Sequence, residues 1–277
     1  MEKIVLLLNA HKPDVASIDF ACRIATMEKA KIVGLFIENL FEPSAKKESS
    51  SESYFTSSQQ PDTVAVATDT DQSIRFFVQE CARQNVQTET YLDKGEPIQE
   101  TLFESRFADL LIIDPHLDFY EGTEQLPSHF VKEILAGAEC PVLLSPDKFS
   151  AFDEVVFCYD GSASAVFAMK QFTYLLPSFQ TKKALLLEVN KTGKEEFGED
   201  HRRIMSWLQA HYPVVHFQAL AGRAKDELLS FFFMRAGLLI VMGSYGRSQL
   251  SNFFSHSAAE GLIRTVDLPI FIAHNNL

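Results

Sequence analysis

The chain repeats itself, and that repeat limits the folds open to it. GEPIQETLFESRFADLLIIDP, beginning at Gly95, parallels GRAKDELLSFFFMRAGLLIVMG, beginning at Gly222. Ala108 and Ala236 stand 128 positions apart, as do Pro141 and Pro269. Nearer the start of each copy, KIVLLLNA parallels EVVFCYDG, which sets Asn9 opposite Asp160 at an offset of 151. The larger offset places extra residues early in the first copy. They are EPSAKKESSSESYFTSSQQPDT, from Glu42, a Ser-rich, charged segment poor in apolar residues. Such a segment cannot offset its ordering entropy by burial, so a mobile loop is expected near 42–63. Two domains follow, 1–147 and 152–277.

Within the second copy, strand and helix patterns alternate. VVFCYD, ALLLEVN, VVHFQAL, LLIVMG and PIFIAH are short apolar runs of strand length. Between them, SASAVFAMKQFTYLL sets Val166, Met169, Phe172 and Leu176 on one helical face. EDHRRIMSWLQAHY, AKDELLSFFFMRA and SHSAAEGLIRTV complete the helices. Apolar strands alternating with helices imply an α/β fold: two tandem doubly wound domains, each a five-stranded parallel sheet with helices on both faces. In such sheets ligands bind beyond the carboxyl ends of the strands, where the strand order reverses.

Charge narrows the partners. The net charge is −12, and through Lys148 there are 13 Lys and Arg against 25 Asp and Glu, with 12 against 12 thereafter. An acidic surface opposes nucleic acid and anionic membrane, and it makes the first half a poor host for polyphosphate. The sequence has no apolar run of membrane-spanning length and its N-terminus does not resemble a secretory signal, so a cytoplasmic location is expected. Cys22, Cys81, Cys140 and Cys158 are widely spaced, which fits buried reduced thiols. No paired His/Cys spacing suggests a metal site, and none is expected.

In the second copy several strand ends carry small or polar residues. Asp160-Gly161-Ser162 closes the first strand; the acid could accept from a ribose hydroxyl or an adenine amino group, or could simply cap the next helix. The fourth strand ends in Gly243-Ser244-Tyr245-Gly246-Arg247-Ser248, where two glycines three apart let backbone N–H groups approach phosphate, or form a plain turn. Ser257 opens the last helix, whose free N–H groups favour an anion.

Together these pieces resemble the universal stress protein family, over nearly the whole chain and as a tandem pair. The family signature is glycine, two residues, glycine, nine residues, then glycine and serine or threonine; Gly243, Gly246 and Ser257 fall on it. The resemblance implies a site for ATP or another adenine nucleotide, here in the C-terminal domain only. Asp160 and Val189 would flank base and ribose, while Gly243, Gly246 and Ser257 would hold the phosphates, with Arg247 and Arg223 able to assist; Gly161, Ser162 and Gly222 are further nucleotide-binding candidates. One residue departs: the third glycine is His256, whose imidazole either occupies phosphate space or, if charged, binds phosphate itself. In the first copy the motif is lost, since Asn9 replaces the aspartate and Pro115, Asp118, Ser128 and His129 fall at the positions of Gly243, Gly246, His256 and Ser257. His116, Asp118 and His129 could suggest a metal or catalytic cluster but are expected to be solvated loop residues. The resemblance also implies that the final strands, PVLLSP and PIFIAH, pair across a pseudo-two-fold axis, giving an intrachain pseudo-dimer that could dimerise further. No Walker loop, pyrophosphatase loop or nucleophile elbow is present, so a regulatory nucleotide-binding module is expected rather than an enzyme, the alternative being a ligand-free scaffold of the same fold.

Overall fold

The computed structural model describes residues 1–38, 69–120, 126–149, 151–194, 198–243 and 256–273, without the side chains of 256–258. The segment expected to form a mobile loop near 42–63 lies outside the described residues.

The strands form because their residues are apolar on both faces. β1 (Lys3–Asn9) buries Ile4, Leu6 and Leu8 in one core layer and Val5 and Leu7 in the other. A run buried on both sides reads as continuously hydrophobic rather than alternating, as strands covered by two helical layers do. β2 (Lys31–Ile37), β4 (Leu110–Ile113), β6 (Glu154–Tyr159), β7 (Lys183–Asn190) and β9 (Leu238–Gly243) follow the same logic. β3 (Thr88–Asp93) and β8 (Val214–Ala221) are half-exposed, because they are the outer edges. β5 (Val142–Leu144) and β10 (Ile270–Ala273) are short and fully buried.

Among the described residues, eight α-helices connect the strands. α1 (Val15–Glu28), α2 (Asp69–Arg83), α5 (Ala163–Leu175) and α6 (Glu199–Gln209) bury Phe20, Phe77, Phe172 and Leu208 against one face of the sheet. α3 (Pro97–Ser105), α4 (His129–Gly137), α7 (Ala224–Phe232) and α8 (His256–Thr265) cover the other. There Phe130, Leu228 and Leu262 are buried and Ile98 packs against them. The helix read from AKDELLSFFFMRA stops early, at Phe232: Phe233 leaves helical geometry and Met234 takes φ +62°, a left-handed turn that ends the helix.

The ten strands among the described residues form one sheet, ordered β3-β2-β1-β4-β5-β10-β9-β6-β7-β8. Pairing is parallel within each half. At the centre β5 and β10 run antiparallel, with Leu143 opposite Phe271. Each half is therefore doubly wound, and its strand order reverses beside its first strand, between β1 and β4 and between β6 and β9. Polar contacts brace the joint between the halves, among them Asp267, which accepts the Asp147 N–H at 2.7 Å, and the Lys132 ammonium, 3.5 Å from Glu260.

Candidate functional site

At the reversal point of the second half, Asp160 follows β6 and Gly243 ends β9, so the two stand at the carboxyl ends of neighbouring strands. Asp160 turns the chain: its Oδ1 accepts the Ser162 N–H at 3.0 Å. Ser162 then caps α5, its Oγ accepting the Ala165 N–H at 3.1 Å. Of the two capping candidates in the sequence, Ser162 is therefore the cap, and Asp160 holds the turn that leads into it. Between them Gly161 has φ +81°, a conformation that favours glycine, and the position a Cβ would take is open. The approach to α5 is thus bare backbone with open space beside it among the described residues.

Gly243 has a different reason to be glycine. A Cβ there would lie 2.5 Å from the Ala165 nitrogen and 2.6 Å from the Ser164 carbonyl carbon. The end of β9 presses on the first turn of α5. Val189, near the end of β7, is buried with Leu187, Cys158 and Met242 on the face covered by α7 and α8. Gly222 follows β8 at φ +148°, with its N–H bonded to the Asn190 carbonyl at 3.0 Å. It belongs to the same carboxyl edge, but on the outermost strand, and Arg223 beside it extends into solvent with Asp226 3.7 Å away. Gly246 and Arg247 lie outside the described residues, whereas His256 and Ser257 form the first turn of α8, which supplies their backbone position alone.

Acidic groups crowd the α5–α6 side of this edge. Glu188 holds His201 at 3.0 Å, and the His201 ring stands edge-on to Tyr159 at 5.4 Å. Burial, followed by the carboxylates of Asp200, Glu188 and Asp160, pushes the Tyr159 hydroxyl above its ordinary pKa. The local field is therefore negative. Sequence spacing does not disclose this cluster, because its members come from three different elements.

The first copy carries other residues at the equivalent place, held by local bonds. Asn9 Oδ1 accepts the His11 N–H at 2.9 Å, reproducing the turn made by Asp160 without the charge. Asp118 accepts the N–H groups of Phe119 and Tyr120, at 2.8 and 3.3 Å. Phe119 is buried with its ring 4.9 Å from that of Phe130. Ser128 caps α4, accepting from the Val131 N–H at 3.1 Å, and its hydroxyl donates to the Leu117 carbonyl at 2.5 Å. The Pro115 carbonyl accepts the Ser128 N–H at 3.4 Å. His129 is exposed at the start of α4.

His116, Asp118 and His129 do not come together as one ligand set. Among the described residues the cluster of that kind is Asp114, His116 and Asp147, whose donor atoms all lie within 4.8 Å of one another. His116 Nδ1 stands 3.0 Å from Asp114 and 3.7 Å from Asp147. Burial raises the Asp114 carboxyl above the usual range, against the lowering effect of the His116 N–H and ring. His116 and Asp147 also border a cavity of about 200 Å³ at the joint between the halves, shared with Arg264 and Asp267.

No protein-family model and no curated protein matches the sequence. Solved structures do match along the whole chain. A universal stress protein from Archaeoglobus fulgidus DSM 4304 is 16% identical, with 98% of each chain covered and a TM-score of 0.64. A putative universal stress protein from Pseudomonas aeruginosa UCBPP-PA14 is 13% identical, covering 99% of this chain and 93% of its own, at a TM-score of 0.61. The cytoplasmic domain of a prokaryotic cation chloride cotransporter is 11% identical, covering 98% of this chain and 94% of its own, at 0.54. The doubly wound fold expected from the sequence is thus shared, over nearly the full length, with these solved universal stress proteins.

Proposed function

We propose that this chain, which has the universal stress protein fold twice over, is a stress-response protein that binds one adenine nucleotide, ATP or a relative, at the carboxyl edge of its second half. The observation that supports this is the placement of Asp160 and Gly243 at the carboxyl ends of neighbouring strands where the strand order reverses, beside the open backbone of Gly161. Asp160 Oδ1 already serves the turn, and a carboxylate has further lone pairs for a ribose hydroxyl or an adenine amino group. Val189 offers an apolar wall and the first turn of α8 an anion-favouring end. The first copy, with Pro115 lacking an N–H and Phe119 packed into the core, takes no nucleotide. The nucleotide acts as a regulatory signal rather than as a reactant. The protein works in the cytoplasm, as an intrachain pseudo-dimer open to protein partners, without nucleic acid or membrane.

Titration calorimetry of the full chain with ATP and with AMP tests this. One site per chain is expected, and Asp160→Ala should weaken it by about tenfold or more, the worth of a charge-assisted hydrogen bond. Two equal sites, or an Asp160→Ala variant that binds like the parent, would defeat the proposal.

A ligand-free scaffold is the alternative function, and two observations favour it: His256 stands where the family motif has its third glycine, and the carboxylates around Tyr159 oppose polyphosphate. His256→Gly separates the two. Tighter ATP binding in the variant would show that the histidine occludes the site, whereas unchanged affinity would remove that obstacle from consideration.

A further inference from the structure

Two of the four cysteines meet inside the first half. Cys22 on α1 and Cys81 on α2 bring their sulfurs to 3.6 Å, although 59 positions separate them in sequence. Both are buried at 0% exposure. A disulfide needs an S–S distance near ~2.05 Å, so closure asks for a movement of roughly 1.6 Å between two packed helices. We propose that Cys22 and Cys81 form a site of oxidation by hydrogen peroxide to an intramolecular disulfide that braces α1 against α2.

The two thiols are chemically unequal. Cys22 donates its hydrogen bond to Cys81, and that bond, with burial, raises the pKa of Cys22. The same bond, with another from Thr88, lowers that of Cys81 against the effect of burial. Cys81 is therefore the sulfur better able to act as nucleophile. It attacks one peroxide oxygen: an S–O bond forms, the O–O bond breaks, and the departing hydroxide takes the Cys81 proton as water. The Cys22 sulfur then attacks the sulfenic sulfur. The S–S bond forms, the S–O bond breaks, and hydroxide leaves with the Cys22 proton as a second water. Two thiols are oxidised to one disulfide, and one peroxide is reduced to two waters. Both groups are internal, so the oxidant enters through local opening of α2, and the reaction is slower than at a surface thiol.

The test uses the full-length protein in native buffer with hydrogen peroxide. Remaining thiols are then alkylated under denaturing conditions and the peptides mapped without reduction. The expected map contains a Cys22–Cys81 crosslink with Cys140 and Cys158 alkylated. The oxidised protein should also melt higher, by roughly 5 °C, because the crosslink closes a long loop of the unfolded chain, and dithiothreitol should reverse the gain. Four alkylated cysteines, a crosslink through Cys140 or Cys158, oxidation that stops at a sulfinic acid, or a crosslink that lowers the melting temperature would each overturn the proposal. Because the map is read on the unmodified protein, the result does not depend on a variant that folds.

Discussion

Gly243 at the end of β9 lies so close to Ala165 in the first turn of α5 that a methyl group on it would stand 2.5 Å from the Ala165 nitrogen. The neighbouring atoms are backbone, held by a capped helix, and cannot rotate aside. Gly243→Ala should therefore lower stability by about 2–3 kcal/mol through overpacking. Urea denaturation would check this, and an unchanged midpoint would show that β9 and α5 are looser than the structure has them.

Asp160 and Asn9 make the same turn at equivalent places, each accepting the N–H two residues on, at 3.0 and 2.9 Å. An amide oxygen therefore suffices for the fold. Asp160→Asn should change stability by less than ~0.5 kcal/mol while weakening nucleotide binding, since only the charge is lost. Thermal melting and calorimetry on one preparation separate the two effects. A large loss of stability would mean that the carboxylate serves α5 and not a ligand.

Ser162→Ala removes the side-chain acceptor for the Ala165 N–H and should cost about 1 kcal/mol, with Ser162→Gly losing less. Equal losses in the two variants would argue against a capping role.

At the joint between the halves, Phe271 is fully buried, with its ring 5.2 Å from that of Phe172. Phe271→Ala should cost roughly 3–5 kcal/mol. Chemical denaturation should show the loss, and a cost below that of a surface substitution would place the residue outside the core.

Glu28, the last residue of α1, accepts a hydrogen bond from the Ser178 hydroxyl of the other half, within the short 3-10 turn Pro177–Thr181. Burial raises its carboxyl above the usual value, and the bonds from Ser178 offset part of that rise. The folded state thus holds this proton more tightly than the unfolded chain. The stability gained is fully present below the unfolded pKa and is lost as pH rises through the folded one. Glu28→Gln should be the more stable protein at neutral pH, and the difference should vanish in acid below the ordinary carboxylate range. Denaturation midpoints measured across that range provide the check; a gap that widens in acid would reverse the sign.

The strands were legible in the sequence because burial on both faces leaves an unbroken apolar run, as in KIVLLLN and LLIVMG. The end of α7 was not, since FFFMRA keeps helical composition while Met234 turns left-handed for reasons of backbone geometry. Of the candidate site, Asp160, Gly161, Ser162 and Gly243 could be placed from strand-end position. What each does could not: the close approach of Gly243 to α5 and the capping by Ser162 are three-dimensional facts. The Asp114–His116–Asp147 and Tyr159–Glu188–His201 groupings escaped for the same reason, as their members share a place in space and no motif in the chain.

The antiparallel seam of β5 and β10 also fixes how the molecule can grow. A strand edge is a connector with a single valence, and here the two inner connectors saturate one another within one polypeptide. Among the described residues, β3 and β8 are the two outer strands of the sheet, each with a single strand neighbour. A second copy is expected to dock on a helical layer or on those rims, because the seam strands pair with one another inside one chain.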